Sequence, residues 1–167
     1  MNLAKIKLIV LDVDGTLTDG GIYIDNNGVE TKKFNVKDGL GIVTAQSVGL
    51  EFMILTGRTS FCVEKRAEEL MIKYVLQGVK NKADYLKTFA TQNNLLSENI
   101  AYIGDDLNDL LAMRFAGVSA CPKNAAQEIK DYCDFIINAN GGDGAVREFI
   151  EIILKEQNLW NIVIENV

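Results

Sequence analysis

The sequence predicts a three-layer α/β domain, with a mostly parallel sheet, helices on both faces, and one β-hairpin inserted after the first strand. Short apolar runs alternate with helix-length amphipathic segments along the chain, which is the pattern of strands joined by crossover helices. The stretch GGIYIDNNGVETKKF, residues 20–34, interrupts that alternation once, with β-prone residues on both sides of Asp25-Asn26-Asn27-Gly28. No repeat, low-complexity tract or linker divides the chain, and the single proline, Pro122, marks no boundary, so residues 1–167 read as one domain.

The first strand is the apolar run 6–11, IKLIVL, continuous enough to be buried on both faces. The hairpin occupies about 20–34. Asp38 is the predicted cap of a helix over 38–48 that ends at Gly49. The pattern then gives a strand at 51–55, a helix over 60–71 capped by Ser60, and a strand at 74–76. A helix over 81–92 capped by Asn81 follows, then a strand at 100–103. Helices at 106–115, 124–131 and 144–156 alternate with strands at 118–120 and 135–137. The tail 159–167, LWNIVIENV, is apolar enough to predict burial, including against a partner subunit.

Composition narrows the function. A chain of 167 residues with 48% hydrophobic residues can bury a core without metal or disulfide staples. A net charge of −6 disfavours non-specific nucleic-acid binding but leaves room for a small anionic substrate, because a local cation or metal can reverse the field at one site. The three cysteines, Cys62, Cys121 and Cys133, form no C-x-x-C pair and no disulfide framework, which predicts a reduced, cytoplasmic protein. Charge appears too early for a signal peptide, and no apolar run reaches the ~18 residues that would span a membrane. With no histidine in the chain, Ser-His and Cys-His catalysis and every histidine-ligated metal site are excluded.

The chemistry is carried by acids at strand ends. Ligands of an open parallel sheet bind outside the carboxyl ends of its strands. Asp12, in VLDVDGT, falls at the end of the first strand, and Asp105, in IGDDLND, just past the 100–103 strand. If those strands are neighbours, Asp12, Asp14 and Asp105 converge, with Asp14 bending back after the glycine that stops the strand. Such a cluster needs a cation, and an all-oxygen donor set suits Mg²⁺. Thr56, in ILTGR, offers a hydroxyl and an N–H at another strand end, and Lys82, in GVKNKADYL, stands at a predicted helix start suited to phosphate. Nucleophilic carboxylate, second carboxylate, hydroxyl, lysine and metal are the parts of a phosphoryl-transfer site. Each element alone has an ordinary structural explanation; their order, each at a strand-to-helix junction, points to function.

In that order the sequence resembles the haloacid dehalogenase-like phosphatase superfamily. The resemblance implies a Rossmann-like fold, Asp12 as nucleophile, Asp14 as general acid and base, Thr56 and Lys82 on the phosphoryl group, and Mg²⁺ held by Asp12, Asp105 and the backbone carbonyl of Asp14. Asp106 and Asp109 become supporting acids. A narrower resemblance, through DGGIYIDNNGVETKKFNVKDGLGI, LTGR, QGVKNK, AYIGDDLND and GGDGAVREF, is to the 3-deoxy-D-manno-octulosonate 8-phosphate phosphatase group and its relatives acting on nine-carbon sialic-type acid 9-phosphates. It implies lipopolysaccharide biosynthesis, substrate contacts at Asn35, Val36, Lys37, Asp38, Gly39, Arg58, Arg66 and Lys82, and a homotetramer whose hairpins form a central barrel and whose tails reach adjacent sites. Arg58 is the main candidate for a sugar-acid carboxylate, since arginine can bind one bidentately. Arg66 equally fits pairing with neighbouring acids on its helix, and Arg147 either acts in trans or pairs with Glu148 or Glu151.

The 42 residues from Asp14 to Thr56 and the 26 from Thr56 to Lys82 leave no room for a cap domain, so the fold is expected to be capless. One departure is Val43, where octulosonate enzymes often carry arginine; with Glu69, it keeps a different sugar acid open. Two other classes compete: a phosphoacceptor receiver-like protein, and a catalytically inactive binding protein.

Overall fold

Strand residues divide by period two between two cores, and this places the helices. The structure, a computed structural model, describes residues 2–165. Its six-stranded sheet has the order β5-β4-β1-β6-β7-β8, every pairing parallel. The strands are β1 (Leu8–Leu11), β4 (Glu51–Leu55), β5 (Tyr74–Leu76), β6 (Ile100–Ile103), β7 (Val118–Cys121) and β8 (Phe135–Ile136). A separate antiparallel pair, β2 (Tyr23–Ile24) and β3 (Glu30–Thr31), is the hairpin. The helices are α1 (Val36–Ser47), α2 (Phe61–Glu69), α3 (Lys82–Gln92), α4 (Leu110–Phe115), α5 (Gln127–Lys130), α6 (Ala145–Glu156) and α7 (Trp160–Glu165). Ile9, Leu11, Phe52, Ile54, Ala101 and Ile103 pack on one face with residues of α1, α2 and α6. Leu8, Val10, Met53, Leu55, Ile100 and Tyr102 pack on the other with α3, α4 and α5. These are the three layers and hairpin expected from the sequence.

Local chemistry shifts several boundaries. Residues 3–5 form a 3₁₀ turn, so β1 begins at Leu8 rather than at residue 6. Asp38 does not cap α1. Asn35 does, its side chain accepting from the Lys37 N–H at 2.8 Å. Asp38 lies one turn further on, 1% exposed, and accepts the backbone N–H of Arg147 at 2.7 Å, so it fastens α1 to the start of α6. Ser60 precedes α2, but its side chain makes no capping bond. Asn81 caps α3 as expected. The helix over 106–115 shortens to α4, because Asp106 and Asp109 spend their carboxylates on the N–H groups of residues 105–107. The helix over 124–131 shortens to the single turn α5. Within the tail, Val163 is buried, and Leu159 and Trp160 pack on the core; residues 166 and 167 lie outside the described residues.

Candidate active site

Register builds the site. In the sheet Leu11 pairs with Ile54 on one side and Ile103 on the other, so β1, β4 and β6 end level. Asp12, Thr56 and Asp105 follow within two residues of those ends and emerge side by side. The backbone then turns sharply at Gly15, whose φ of +94° suits glycine. A Cβ there would also come within 2.0 Å of an Asp105 carboxylate oxygen, so the loop carrying Asp14 is laid directly against Asp105. From behind, Gly141 braces this loop so closely that its own Cβ would stand 1.7 Å from the Gly15 carbonyl oxygen.

Beneath the strand ends lies a buried node. The Lys82 ammonium, at the start of α3, donates to Asp12 Oδ1 at 2.5 Å and to Asp109 Oδ1 at 2.6 Å. Asp109 is fully buried and also accepts the Tyr102 hydroxyl at 2.7 Å and the backbone N–H groups of Asp105 and Asp106. Its bonding capacity is thus taken up in holding Lys82 and the 105–106 turn. One carboxylate oxygen from each of Asp12, Asp105 and Asp109 lies within 4.8 Å of the others. That is an excess of negative charge over the single Lys82 cation.

The electrostatics follow from burial. Desolvation first, then the Asp109 charge, pushes the Asp12 carboxyl well above its ordinary value, against the pull of Lys82. Asp105 is raised to about 6 for the same two leading reasons. Burial alone would depress Lys82, but Asp12 and Asp109 outweigh it and raise it. A divalent cation would relieve this strain of like charges. Asp12 and Asp105 face the cleft with all-oxygen donors, so the residues present fit Mg²⁺. Asp109 is committed elsewhere.

Asp14 belongs to a different network. Its carboxylate accepts from Lys32, whose side chain is 1% exposed, and lies 3.6 Å from Arg58 Nε. Glu30 on β3 accepts from Arg58 Nη2 at 2.8 Å and sits 3.5 Å from Lys32. The hairpin therefore aims Arg58 and Asp14. Asp14's side chain stays outside the carboxylate cluster, leaving its backbone carbonyl as the group the sequence reading gave to the metal.

Asp12, Asp14, Thr56, Arg58 and Asp105 line one cleft of about 380 Å³, together with Gly57, Asp106, Leu107 and Asn108. Thr56 is pinned at both backbone ends, donating to the Leu76 carbonyl at 2.9 Å and accepting from the Val79 N–H at 3.0 Å. Lys82 is 1% exposed behind Asp12 and does not line the cleft.

Other candidates are not brought to it. Asn35, Val36, Lys37, Asp38, Gly39 and Arg66 line no part of this cleft in their own chain. Arg66 bonds Glu69 at 2.8 Å and the Asn35 carbonyl at 3.3 Å. Asp38, with one buried oxygen lacking a partner, is raised by burial to about 6. Arg147 pairs with Glu151 at 2.8 Å, and Val43 packs against the core.

Sequence reasoning missed Lys32 and Tyr102. Lys32 follows Glu30 by two residues in the predicted hairpin, a spacing that in an extended strand puts both on one side and flags an ion pair. Tyr102 is a phenol in an otherwise aliphatic buried strand, and a buried hydroxyl demands a partner.

A family model for haloacid dehalogenase-like hydrolases matches residues 76–150. The 3-deoxy-D-manno-octulosonate 8-phosphate phosphatase of Escherichia coli is 41% identical over 153 residues, 92% of this chain and 81% of that protein. Its counterpart in Haemophilus influenzae is 37% identical over 155 residues, 93% of this chain and 86% of that protein. A crystal structure of the Moraxella catarrhalis phosphatase of the same name, in complex with magnesium, phosphate and KDO, superposes with a TM-score of 0.95 at 42% identity, covering 98% of this chain and 95% of that one. The cobalt-bound Haemophilus influenzae enzyme gives 0.90 at 36% identity, covering 95% and 92%.

Proposed function

This chain belongs to the 3-deoxy-D-manno-octulosonate 8-phosphate phosphatase family of haloacid dehalogenase-like hydrolases, and from that premise we propose that it is a Mg²⁺-dependent phosphatase for that sugar-acid phosphate. It is a phosphoric monoester hydrolase. The observation that carries the reading is the buried Lys82 node. It holds Asp12 at the cleft floor beside Asp105 and Thr56, with the carboxylate excess that a divalent cation offsets.

Asp12, Asp105 and the Asp14 carbonyl would hold Mg²⁺, which would supply positive charge to the carboxylates and the phosphate. Asp12 attacks phosphorus in line as the bond to the sugar oxygen breaks, and Asp14 gives that oxygen a proton. Asp14 then accepts a proton from the water that cleaves the aspartyl-phosphate, which frees phosphate and regenerates Asp12. Lys82 spends two of its three donors on Asp12 and Asp109, which leaves one for phosphate. Thr56 steadies the phosphoryl oxygens, and Arg58, half exposed at the cleft rim, takes the sugar-acid carboxylate.

A capless cleft needs a cover. Ile22, Tyr23, Ile24 and Val29 leave an exposed apolar hairpin surface, which supports the homotetramer reading. Asn35, Val36, Lys37 and Arg66, away from the cleft of their own chain, then serve a neighbouring copy, whereas Asp38 and Gly39 are buried in α1, which Asp38 holds in place. No helix among the described residues is long and apolar enough to cross a membrane, and cytoplasmic residence, without nucleic-acid partners, completes the reading.

The test is Mg²⁺-dependent phosphate release across a substrate panel. The proposal expects the highest kcat/KM on octulosonate 8-phosphate. A higher value on a nine-carbon 9-phosphate would transfer the assignment to that substrate, the alternative that Val43 keeps in view. Absence of turnover on every sugar-acid phosphate by folded, Mg²⁺-loaded protein would reject the enzyme mechanism in favour of a receiver or binding role. Light scattering showing an active monomer would overturn the tetramer.

A further inference from the structure

We propose that Cys121 and Cys133 form a dithiol site that reacts with low-molecular-weight disulfides, of which oxidised glutathione is the probe, and closes reversibly into an intramolecular disulfide. The two sulfurs lie 3.2 Å apart, outside the cleft lining. A disulfide holds its sulfurs about 2.05 Å apart, so closure asks for an approach of roughly 1 Å. The flanking backbone is fixed by the sheet. Cys121 ends β7, and Ala120 and Cys121 pair with Phe135 and Ile136 of β8, just beyond Cys133. Cys133 is held in its turn by its N–H bond to the Ile129 carbonyl at 2.9 Å.

The two thiols are unequal, and this orders the reaction. Cys121 is fully buried, whereas Cys133 is partly exposed and open to a small reagent. The hydrogen bond between the two thiols holds Cys133 below its ordinary value and raises Cys121. The Cys133 thiolate attacks one sulfur of glutathione disulfide, forms a mixed disulfide and expels one glutathione thiolate. Cys121 then attacks the Cys133 sulfur, its proton passing to the departing sulfur of the second glutathione. Two electrons pass to the reagent, and two glutathione thiols leave.

The ring so closed contains supports of the active site. Asn124 accepts the Gly141 N–H at 2.9 Å, and the Ala126 N–H donates to the Asp105 carbonyl at 2.9 Å. Oxidation therefore ties both ends of a segment that holds Asp105 and the glycine bracing the catalytic loop.

The experiment uses the full chain carrying Cys62→Ser, equilibrated with oxidised glutathione and read by intact mass, thiol titration and peptide mapping. Expected are loss of both remaining thiols, a 121–133 crosslink, no retained glutathione, and full reversal by dithiothreitol. Adding Cys121→Ser should trap one glutathione on Cys133, whereas Cys133→Ser should leave Cys121 unmodified. Persistence of both thiols, or a stable glutathione adduct when both cysteines are present, would overturn the site. If the Cys121→Ser chain fails to fold, the crosslink map and the Cys133→Ser chain still decide. The coupling rests on the phosphatase reading: the oxidised protein should release phosphate severalfold more slowly and recover on reduction. Unchanged turnover would overturn that coupling, and the thiol count, which needs no turnover, keeps such a failure distinct from failure of the phosphatase reading.

Discussion

Asp12 and Asp14 are two residues apart and live in different electrostatic worlds. Asp12 is locked into a buried node whose other members, Lys82, Asp109 and Tyr102, sit on α3, at the start of α4 and on β6. Asp14 is partly exposed and held by Lys32 and Arg58, whose partner Glu30 rides on a two-stranded hairpin. On the proposed mechanism, the difference separates the nucleophile from the groups that move protons and recognise substrate. A nucleophile gains from a rigid, desolvated frame built on the sheet, while an acid that must exchange protons with substrate and water gains from an accessible position on a smaller element. Variants of the two regions should therefore fail differently.

The largest effect is expected at the node. Asp12→Asn should lower kcat by about 10⁴-fold or more with the fold intact, since it removes the attacking oxygen. Retention of turnover within tenfold would break the distinction between the two aspartates. Lys82→Met comes next. It leaves Asp12, Asp105 and Asp109 without their cation, and losing one partner of a buried pair costs about 3–5 kcal/mol. Denaturant unfolding of the Mg²⁺-free protein checks it, and a loss below ~1 kcal/mol would show that the node is hydrated rather than sealed.

On the hairpin side, Arg58→Ala should reduce kcat/KM on carboxylated substrates by roughly 10²-fold, the worth of a charge-assisted contact. A generic aryl phosphate should lose far less. Equal losses on both substrates would refute the carboxylate role. The smallest effect is on pH. Asp105 is raised to about 6, so its protonated form is favoured by the metal-free fold. That contribution to stability is fully present below its unfolded value of 3.8 and is lost as pH rises through about 6. Protons compete with Mg²⁺ over the same interval. The rise in Tm caused by Mg²⁺ should thus be larger at pH 7.5 than at pH 5, with affinity at pH 5 weaker by about tenfold. Arg58→Ala should leave this pH dependence unchanged, because Arg58 is outside the node.

The two regions also differ in how visible they were before folding. Strand–helix alternation and the Asp25-Asn26-Asn27-Gly28 turn are local patterns, and they located every strand and the hairpin. Asp12, Thr56, Lys82 and Asp105 were legible because each sits at a strand-to-helix junction, where ligands of a parallel sheet collect. Lys32 and Tyr102 were not, because their roles depend on which side chain lies opposite in space. Asp38 shows the same limit. As a sequence it reads as a helix cap, and only the structure shows that Asn35 caps α1 while Asp38 receives the Arg147 N–H from α6. The shortened helices at 106–115 and 124–131 reflect acids and a proline-led turn satisfying backbone groups locally, which periodicity alone does not register.

The most direct test of the central claim is to quench a single turnover in acid, using substrate with a radiolabelled phosphate and excess Mg²⁺-loaded protein, and to map the label. The aspartyl-phosphate mechanism predicts transient, base-labile label on the peptide carrying Asp12 and none in Asp12→Asn. Turnover that proceeds with no protein-bound label, or with the label on another residue, would contradict it.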